Sequence, residues 1–288
     1  MITIDENKAF YGKRSLKMGG KLYLMDHPWV MGILNVGPDS FYDGGQYQQV
    51  AQAVDRTAQM LNEGAHLIDI GAVSTKPGSA LIDPAEEWSR LKEIVPELIR
   101  QFPEAHFSID TYNSETAEKA FNAGVHLIND VSGGTIDKHM APVVGALCAP
   151  YVMMHIQGQP ENMQNNPQYE NPTGEVAKFF SRQIDFFNRY GAVNLILDPG
   201  FGFGKSLEHN YEILQRLSIF KTVFNLPVLV GFSRKSMINK VLGSKADEAL
   251  NGTTVLNTIG LLKGVDILRV HDVKPALEAC KLYLQASA

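Results

Sequence analysis

One short pattern recurs eight times along the chain and constrains the fold more than any other feature. Each repeat has an apolar stretch of strand length, a polar residue at its end, a loop and then a helical segment. The polar residues at the eight strand ends are Asn35, Asp69, Asp110, Asn129, His155, Asp198, Ser233 and Arg269. The mean step between them is about 33 residues, close to one βα unit of a barrel of ~250 residues.

Strands that alternate with helices predict an α/β fold with a parallel sheet. Eight units with no change in composition favour closure into a (β/α)8 TIM barrel, and an open doubly wound sheet is the alternative. Before the first unit, residues 15–25 predict a short β-hairpin that turns at Gly19-Gly20. No linker interrupts the 288 residues, so we expect a single domain over residues 1–288.

The clearest unit is the stretch LILDPGFGFGKS at residues 195–206. Three apolar residues lead into Asp198, and Pro199-Gly200 then ends the strand. The glycines that follow match neither a Walker A loop nor a dinucleotide fingerprint. They are more consistent with close approach of the backbone to a ligand, with Phe203 covering a ring.

Composition narrows the range of possible binding partners and of cellular compartments. The net charge of −5 argues against nucleic acid as a bulk partner. The two cysteines, Cys148 and Cys280, are far apart, which argues against a disulfide framework or a zinc site. With no signal-peptide pattern and no apolar run of the ~18 residues that a membrane span needs, we expect a cytoplasmic protein without membrane contact.

Because chemistry in such barrels sits at the carboxyl ends of the strands, the polar strand ends predict one site. Asp110, Asn129 and Asp198 can accept hydrogen bonds from a flat heterocycle rich in N–H groups. A pair of carboxylates acting as general acid and base is the alternative. For Asp69, a strand-end cap is an equal alternative to a role in the site, and we expect His155 to be structural.

Basic side chains on the same face predict an anion site. A phosphate or diphosphate group requires such a cluster. Its candidate members are Lys76, Lys205, Arg234, Lys235, Arg269 and His271. In the first loop, Asn35 and Asp39 offer oxygen ligands suited to Mg²⁺. This loop and the one around residues 72–79 are rich in glycine, proline and small polar residues, so we expect them to act as lids.

With these features in place, the chain resembles the dihydropteroate synthase family. The resemblance runs from about residue 30 to residue 284 and is carried by blocks in the family's order: MGILNVGPDSFYDGG, DTYNSETAEKAFNAG, INDVSGG, MMHIQGQPENMQ, LDPGFGFGK, GFSRKSM and ILRVHDV. It implies a (β/α)8 barrel that is usually a homodimer. It also implies the joining of dihydropterin-methyl diphosphate to 4-aminobenzoate with Mg²⁺, and sulfonamides as inhibitors.

The resemblance also implies roles for single residues, matched motif by motif. Four of them resemble the pterin-binding set: Asp110, Asn129, Asp198 and Lys235, with Asp110 and Lys235 as the catalytic candidates. The diphosphate set is Asn35, Lys76, Arg269 and His271, with Asn35 also as the metal ligand. The positions around the aminobenzoate are Thr75, Phe203 and Ser236.

The chain departs from the family pattern in the two lid loops. Gly37 replaces a threonine, Ala72-Val73 replaces a glycine followed by a polar residue, and Lys76 replaces an arginine. These changes predict weaker loop closure and altered sulfonamide sensitivity, while the pterin residues are kept. Two other hypotheses for the function stay open. One is a methyltransferase that acts on methyltetrahydrofolate and a corrinoid protein, and the other is a non-catalytic pterin-binding paralogue.

Overall fold

The fold is an eight-stranded parallel barrel preceded by a hairpin. The computed structural model describes residues 14–37, 46–74 and 78–287. The hairpin strands are β1 (Arg14–Met18) and β2 (Lys21–Met25). The barrel strands are β3 (Trp29–Asn35), β4 (Leu67–Gly71), β5 (Phe107–Asp110), β6 (Leu127–Asp130), β7 (Tyr151–Met154), β8 (Leu195–Asp198), β9 (Leu229–Val230) and β10 (Ile267–Val270).

The barrel strands pair in the order β8-β7-β6-β5-β4-β3-β10-β9, and every pair is parallel. A parallel bridge between Leu197 and Val228 joins the two ends of this order and closes the ring. The predicted (β/α)8 barrel is therefore confirmed, and the open doubly wound alternative is excluded.

Helices follow the strands and cover the outside of the ring. They are α1 (Gln46–Asn62), α2 (Pro84–Leu91), α3 (Ile94–Gln101), α4 (Ser114–Asn122), α5 (Met140–Leu147), α6 (Pro172–Asn188), α7 (Leu207–Gln215), α8 (Ser218–Phe224), α9 (Ser236–Leu242), α10 (Leu250–Leu262) and α11 (Val273–Ala286). Their apolar faces pack on the strands in one large buried cluster.

Two of the helical segments are each interrupted. Residues 84–101 form α2 and α3 rather than one helix, because in a continuous helix the ring of Pro96 would clash with the carbonyl four residues earlier. The segment that begins at Ser236 stops at Leu242, where Gly243 takes a left-handed conformation with φ 65°. A short 3₁₀ turn, Ala246–Glu248, then leads into α10.

The hairpin is confirmed and closes the amino end of the barrel. Gly19 and Gly20 both have positive φ, as a tight hairpin turn requires. Leu16, Met18 and Met25 are buried against the inward-facing apolar residues at the starts of the barrel strands. The amino end is thus filled by side chains, which leaves the carboxyl end open for a site. In the described ranges, the helices are too short or too polar to cross a membrane.

Candidate active site

Three buried carboxylates and one buried amide occupy the interior of the barrel near its carboxyl end. Asp69 on β4 is 0% exposed, Asp110 on β5 9%, Asn129 on β6 4% and Asp198 on β8 5%. Parallel pairing sets Asp110 opposite Asn129 and Asp69 opposite Ser108. Buried carboxylates are stable only when paired or hydrogen-bonded, so each must have a partner here.

Arg269 on β10 supplies the opposing charge. Its Nε donates to Asp69 Oδ2 at 2.6 Å, and its Nη2 donates to Asp110 Oδ2 at 2.6 Å. Burial opposes its positive charge, but the two carboxylates raise the pKa of Arg269 above its ordinary value. The cation expected on the anion side therefore directly contacts a residue expected on the heterocycle side.

Asp110 keeps one oxygen free for a ligand. Its Oδ1 is buried and has no hydrogen-bond partner among the described residues. Burial raises the pKa of Asp110 to about 7, although the charge of Arg269 opposes the rise. A buried acceptor without a donor is costly, so a ligand N–H at this position would remove the cost.

Lys235 and Asp198 lie near each other at the same end of the barrel. Burial lowers the pKa of Lys235 to about 8, although the negative charge of Asp198 opposes the shift. Burial raises the pKa of Asp198, and the charges of Lys235 and then Arg269 oppose that rise. Gly200 donates its backbone N–H to Asp198 Oδ1 at 2.8 Å, which fixes the carboxylate. Asp198, Lys235 and Arg269 thus lie close enough at the carboxyl end for their charges to act on one another.

The loop after β8 places an aromatic ring over the lysine. Lys235 Nζ lies 4.7 Å from the centroid of the Phe203 ring, and it donates to the carbonyl of Phe201 at 2.5 Å. Phe203 also packs against an apolar wall at the same end of the barrel. The buried members of this wall are Tyr112, Val131, Met154, Ile156 and Met163. An apolar wall beside charged edges suits a flat, polar heterocycle.

The other side of the carboxyl end holds Asn35, Ser233 and His271. Ser233 Oγ lies 2.9 Å from His271 Nδ1 and accepts the backbone N–H of His271, which fixes the ring. Burial, together with the charges of Arg269 and Arg234, lowers the pKa of His271 to about 4, so the ring is neutral at neutral pH. Asn35 ends β3 with an exposed side chain.

The structure corrects three expectations from sequence. Asp69 is not a strand-end cap, because it bonds both Arg269 and Asn129 inside the barrel. Lys205 is not an exposed cation of an anion site: it is buried beneath the loop, donates to backbone carbonyls and to His155, and its charge acts on Asp198. Arg234 pairs with Asp272 at the surface.

Other expected site residues lie at the edge of the cavity or outside the described ranges. Ser236 begins α9 with an exposed side chain. Thr75, Lys76 and Asp39 fall outside the residues that the structure describes. His155 is buried and contacts Phe179 edge to face, which agrees with a structural role.

Sequence reasoning missed Asp69 and Glu87. Glu87 on α2 is buried and accepts hydrogen bonds from Thr111 and Asn113, so it orders the loop after Asp110. A signal for Asp69 was present, because it lies inside the apolar run LIDIG and a buried charge requires a partner. Glu87 lies among other charges on a helix, so the sequence carries no such signal for it.

The fold and the site together define a barrel protein whose carboxyl end has the charges and the apolar wall that suit a flat polar heterocycle beside an anion. A family model described as pterin binding enzyme matches residues 31–271. The dihydropteroate synthase of Escherichia coli K12 is 41% identical over 260 residues, 90% of this chain and 91% of that protein. The dihydropteroate synthase of Synechocystis is 40% identical, covering 88% of each chain.

Comparison with solved structures identifies the same family. A Yersinia pestis dihydropteroate synthase with a sulfonamide drug complex superposes with TM-score 0.89 at 39% identity, covering 96% of this chain and 100% of that one. A Xanthomonas albilineans dihydropteroate synthase with 4-aminobenzoic acid superposes with TM-score 0.88 at 33% identity, covering 96% and 99%. The chain therefore belongs to the pterin binding enzyme family and, within it, to the dihydropteroate synthases, which are transferases.

Proposed function

We propose that this chain joins (7,8-dihydropterin-6-yl)methyl diphosphate to 4-aminobenzoate, giving 7,8-dihydropteroate and diphosphate. The amine nitrogen forms a bond to the methylene carbon, the bond from that carbon to the diphosphate oxygen breaks, and the amine loses a proton. The observation that carries the proposal is the clustering of Asp110, Asp198, Lys235 and Arg269 at the carboxyl end of the barrel, where their charges act on one another.

The heterocycle side of the cavity binds the pterin. Asp110, Asn129 and Asp198 accept its ring and amino N–H groups, and Lys235 donates to a ring acceptor. The free Oδ1 of Asp110 supports this role. As catalytic residues, Asp110 stabilises the cationic character that develops at the methylene carbon and Lys235 holds the ring in position.

The anion side binds the diphosphate. Arg269 and His271, with Asn35 and Lys76, hold the leaving group as its negative charge grows. The contacts of Arg269 with two carboxylates support a coupling between pterin binding and diphosphate binding. A phosphate oxygen competes with Asp110 for the guanidinium of Arg269. The aminobenzoate is held by Thr75, Phe203 and Ser236, with the ring of Phe203 already placed over Lys235.

The residues at the end of β3 fit Mg²⁺. Mg²⁺ prefers hard oxygen ligands, and it typically takes one or two from the protein and the rest from water and phosphates. The amide oxygen of Asn35 is such a ligand and its side chain is exposed. When bound, the ion would neutralise charge on the diphosphate.

The proposal is tested by measuring diphosphate release with the pterin diphosphate, 4-aminobenzoate and Mg²⁺, each omitted in turn. We expect release that requires both substrates, with dihydropteroate identified by mass. Tight pterin binding without turnover would instead identify the non-catalytic paralogue. Methyl transfer from methyltetrahydrofolate to a corrinoid protein would identify the methyltransferase.

We also propose that the whole chain, residues 1–288, is one domain that works in the cytoplasm as a homodimer. A groove between α10 and α11 exposes apolar side chains, among them Leu250, Leu262 and Leu282, with Leu282 72% exposed. A second copy would bury this surface in a two-fold contact. Sedimentation should show a dimer that Leu282→Glu dissociates, whereas Leu24→Glu on the hairpin leaves it intact.

A further inference from the structure

Asp69 holds two side chains of the site at once and is the deepest charged residue among them. Its Oδ2 accepts from Arg269 Nε at 2.6 Å and from Asn129 Nδ2 at 2.9 Å. Asp69 is 0% exposed, so within the barrel it touches no bulk solvent. A ligand at the carboxyl end would meet Arg269 and Asn129 before it met Asp69.

The three side chains form one interior layer. In a closed eight-stranded barrel, inward-facing residues of alternate strands share a layer. Strands β4, β6 and β10 are alternate members of the ring, and they carry Asp69, Asn129 and Arg269. In most barrels such a layer is filled by branched apolar side chains. Here it is a hydrogen-bonded network, whose geometry depends on its central carboxylate.

The carboxylate also determines which way the amide of Asn129 points. An ionised carboxylate only accepts hydrogen bonds, so Asn129 must turn its NH₂ group toward Asp69. Its carbonyl oxygen then points elsewhere and accepts no hydrogen bond from another described residue. This oxygen is not among the fully buried atoms that lack a partner. The amide is therefore presented to the cavity as an acceptor.

We propose that Asp69 is a positioning residue that sets Asn129 as an acceptor for a ligand N–H group and anchors Arg269. The proposal rests on the proposed function, in which Asn129 binds the pterin. Asp69 would then select an N–H donor at that edge of the heterocycle without touching the ligand, because it acts through Asn129. Without Asp69 the amide is free to rotate and to present its NH₂ group instead.

The test is a double-mutant cycle on pterin affinity. Binding of 6-hydroxymethyl-7,8-dihydropterin, which lacks the diphosphate, is measured by calorimetry for wild type, Asp69→Leu, Asn129→Ala and the double variant. We expect Asp69→Leu to weaken binding about tenfold, as for the loss of one hydrogen bond to a buried group. The double variant should bind within about twofold of Asn129→Ala alone, because Asp69 acts through Asn129.

Two further variants keep the test decisive. Asp69→Asn retains one oxygen, and Arg269, which only donates, keeps that oxygen turned toward itself and Asn129. Its pterin affinity should therefore stay within about threefold of wild type even if Asp69→Leu fails to fold. Ser108→Ala changes the neighbouring position on β5, where the buried hydroxyl has no partner among the described residues. It should bind pterin as wild type does.

The outcomes separate the two proposals. If wild type does not bind the pterin, the proposed function fails. If wild type binds it but the effects of Asp69→Leu and Asn129→Ala multiply, Asp69 does not act through Asn129 and the inference is overturned. Wild-type affinity of a folded Asp69→Leu, or a tenfold loss in Asp69→Asn, would overturn it as well.

Discussion

Nζ of Lys205 lies 2.9 Å from Nδ1 of His155, in the interior rather than in the cavity. The same Nζ also donates to the backbone carbonyls of Gly200 and Phe203, at 2.9 and 3.0 Å. The lysine therefore ties the loop after β8 to the end of β7. This loop carries Phe203, the ring that covers Lys235.

Lys205→Met should destabilise the protein and disorder this loop. The carbonyls of Gly200 and Phe203 would lose their donor, and each unsatisfied buried group costs about 1–3 kcal/mol. We expect a loss of about 2–4 kcal/mol in the free energy of unfolding, measured in urea, with a fall in kcat/KM. Lys240→Met, at an exposed position on α9, is the matched control and should change neither quantity.

The buried amine also predicts a pH dependence of stability. Burial lowers the pKa of Lys205 from its ordinary value of 10.5 to about 7. Between these two values the unfolded chain binds more protons than the folded chain, so the stability due to this group rises with pH. Wild type should therefore gain stability relative to Lys205→Met from pH 7 to pH 9. A flat or falling difference would contradict the prediction.

Asp110 and Lys235 should set the pH dependence of catalysis. The pKa of Asp110 is raised to about 7 and that of Lys235 is lowered to about 8, both by burial. If the carboxylate and the ammonium ion are the active forms, kcat/KM falls below about pH 7 and above about pH 8. Asp110→Asn should remove the acid limb and lower the rate. An unchanged acid limb in this variant would show that the substrate titrates instead.

Removing Arg269 should affect both sides of the cavity. Arg269→Ala weakens binding of the diphosphate substrate and of free diphosphate, since the guanidinium is the cation closest to the carboxylates. It also removes the charge that opposes the raised pKa of Asp110, so the acid limb of the pH profile should move to higher pH. Asp198→Asn is the comparison, because it should weaken pterin binding without weakening that of free diphosphate. Unaltered pterin affinity in Asp198→Asn would contradict the heterocycle assignment.

Sequence alone predicts the barrel because the repeat of strand and helix is long and regular. It also places Asp110, Asn129 and Asp198 at one end of the sheet, since Asp110 and Asp198 end their strands and Asn129 is the next-to-last residue of β6. It does not predict which groups pair across the barrel. The contact of Arg269 with Asp69 joins residues 200 positions apart and depends on the pairing of the last strand, β10, and of β4 with β3.

Lys205 shows the same limit of prediction from sequence. A lysine after a glycine-rich loop is equally consistent with an exposed cation and with a buried brace. The choice depends on where the carbonyls of the loop point. Positive φ at Gly200, Gly202 and Gly204 turns the loop back over β7, which encloses the amine. Loop geometry of this kind comes from tertiary packing, which the local sequence does not encode.

The departures in the lid loops give the final prediction. An added Cβ at Gly37 would lie 3.3 Å from the carbonyl oxygen of Ala72, so a larger residue fits if that carbonyl shifts by a few tenths of an ångström. Replacing glycine where the new residue fits without strain stabilises the ordered conformation by about 0.4–1 kcal/mol, because the disordered backbone has fewer conformations to lose. Gly37→Thr should therefore lower the KM for aminobenzoate about two- to fivefold and strengthen inhibition by sulfonamides.

Lys76→Arg should act in the same direction, because arginine restores a planar fork that binds an anion through two hydrogen bonds. Steady-state kinetics of both variants, with Gly37→Ala as the matched control, separate the added Cβ from the threonine hydroxyl. If Gly37→Ala reproduces the full effect, loss of backbone freedom is the cause. Unchanged KM for aminobenzoate together with unchanged sulfonamide inhibition in Gly37→Thr and Lys76→Arg would show that these departures do not weaken loop closure.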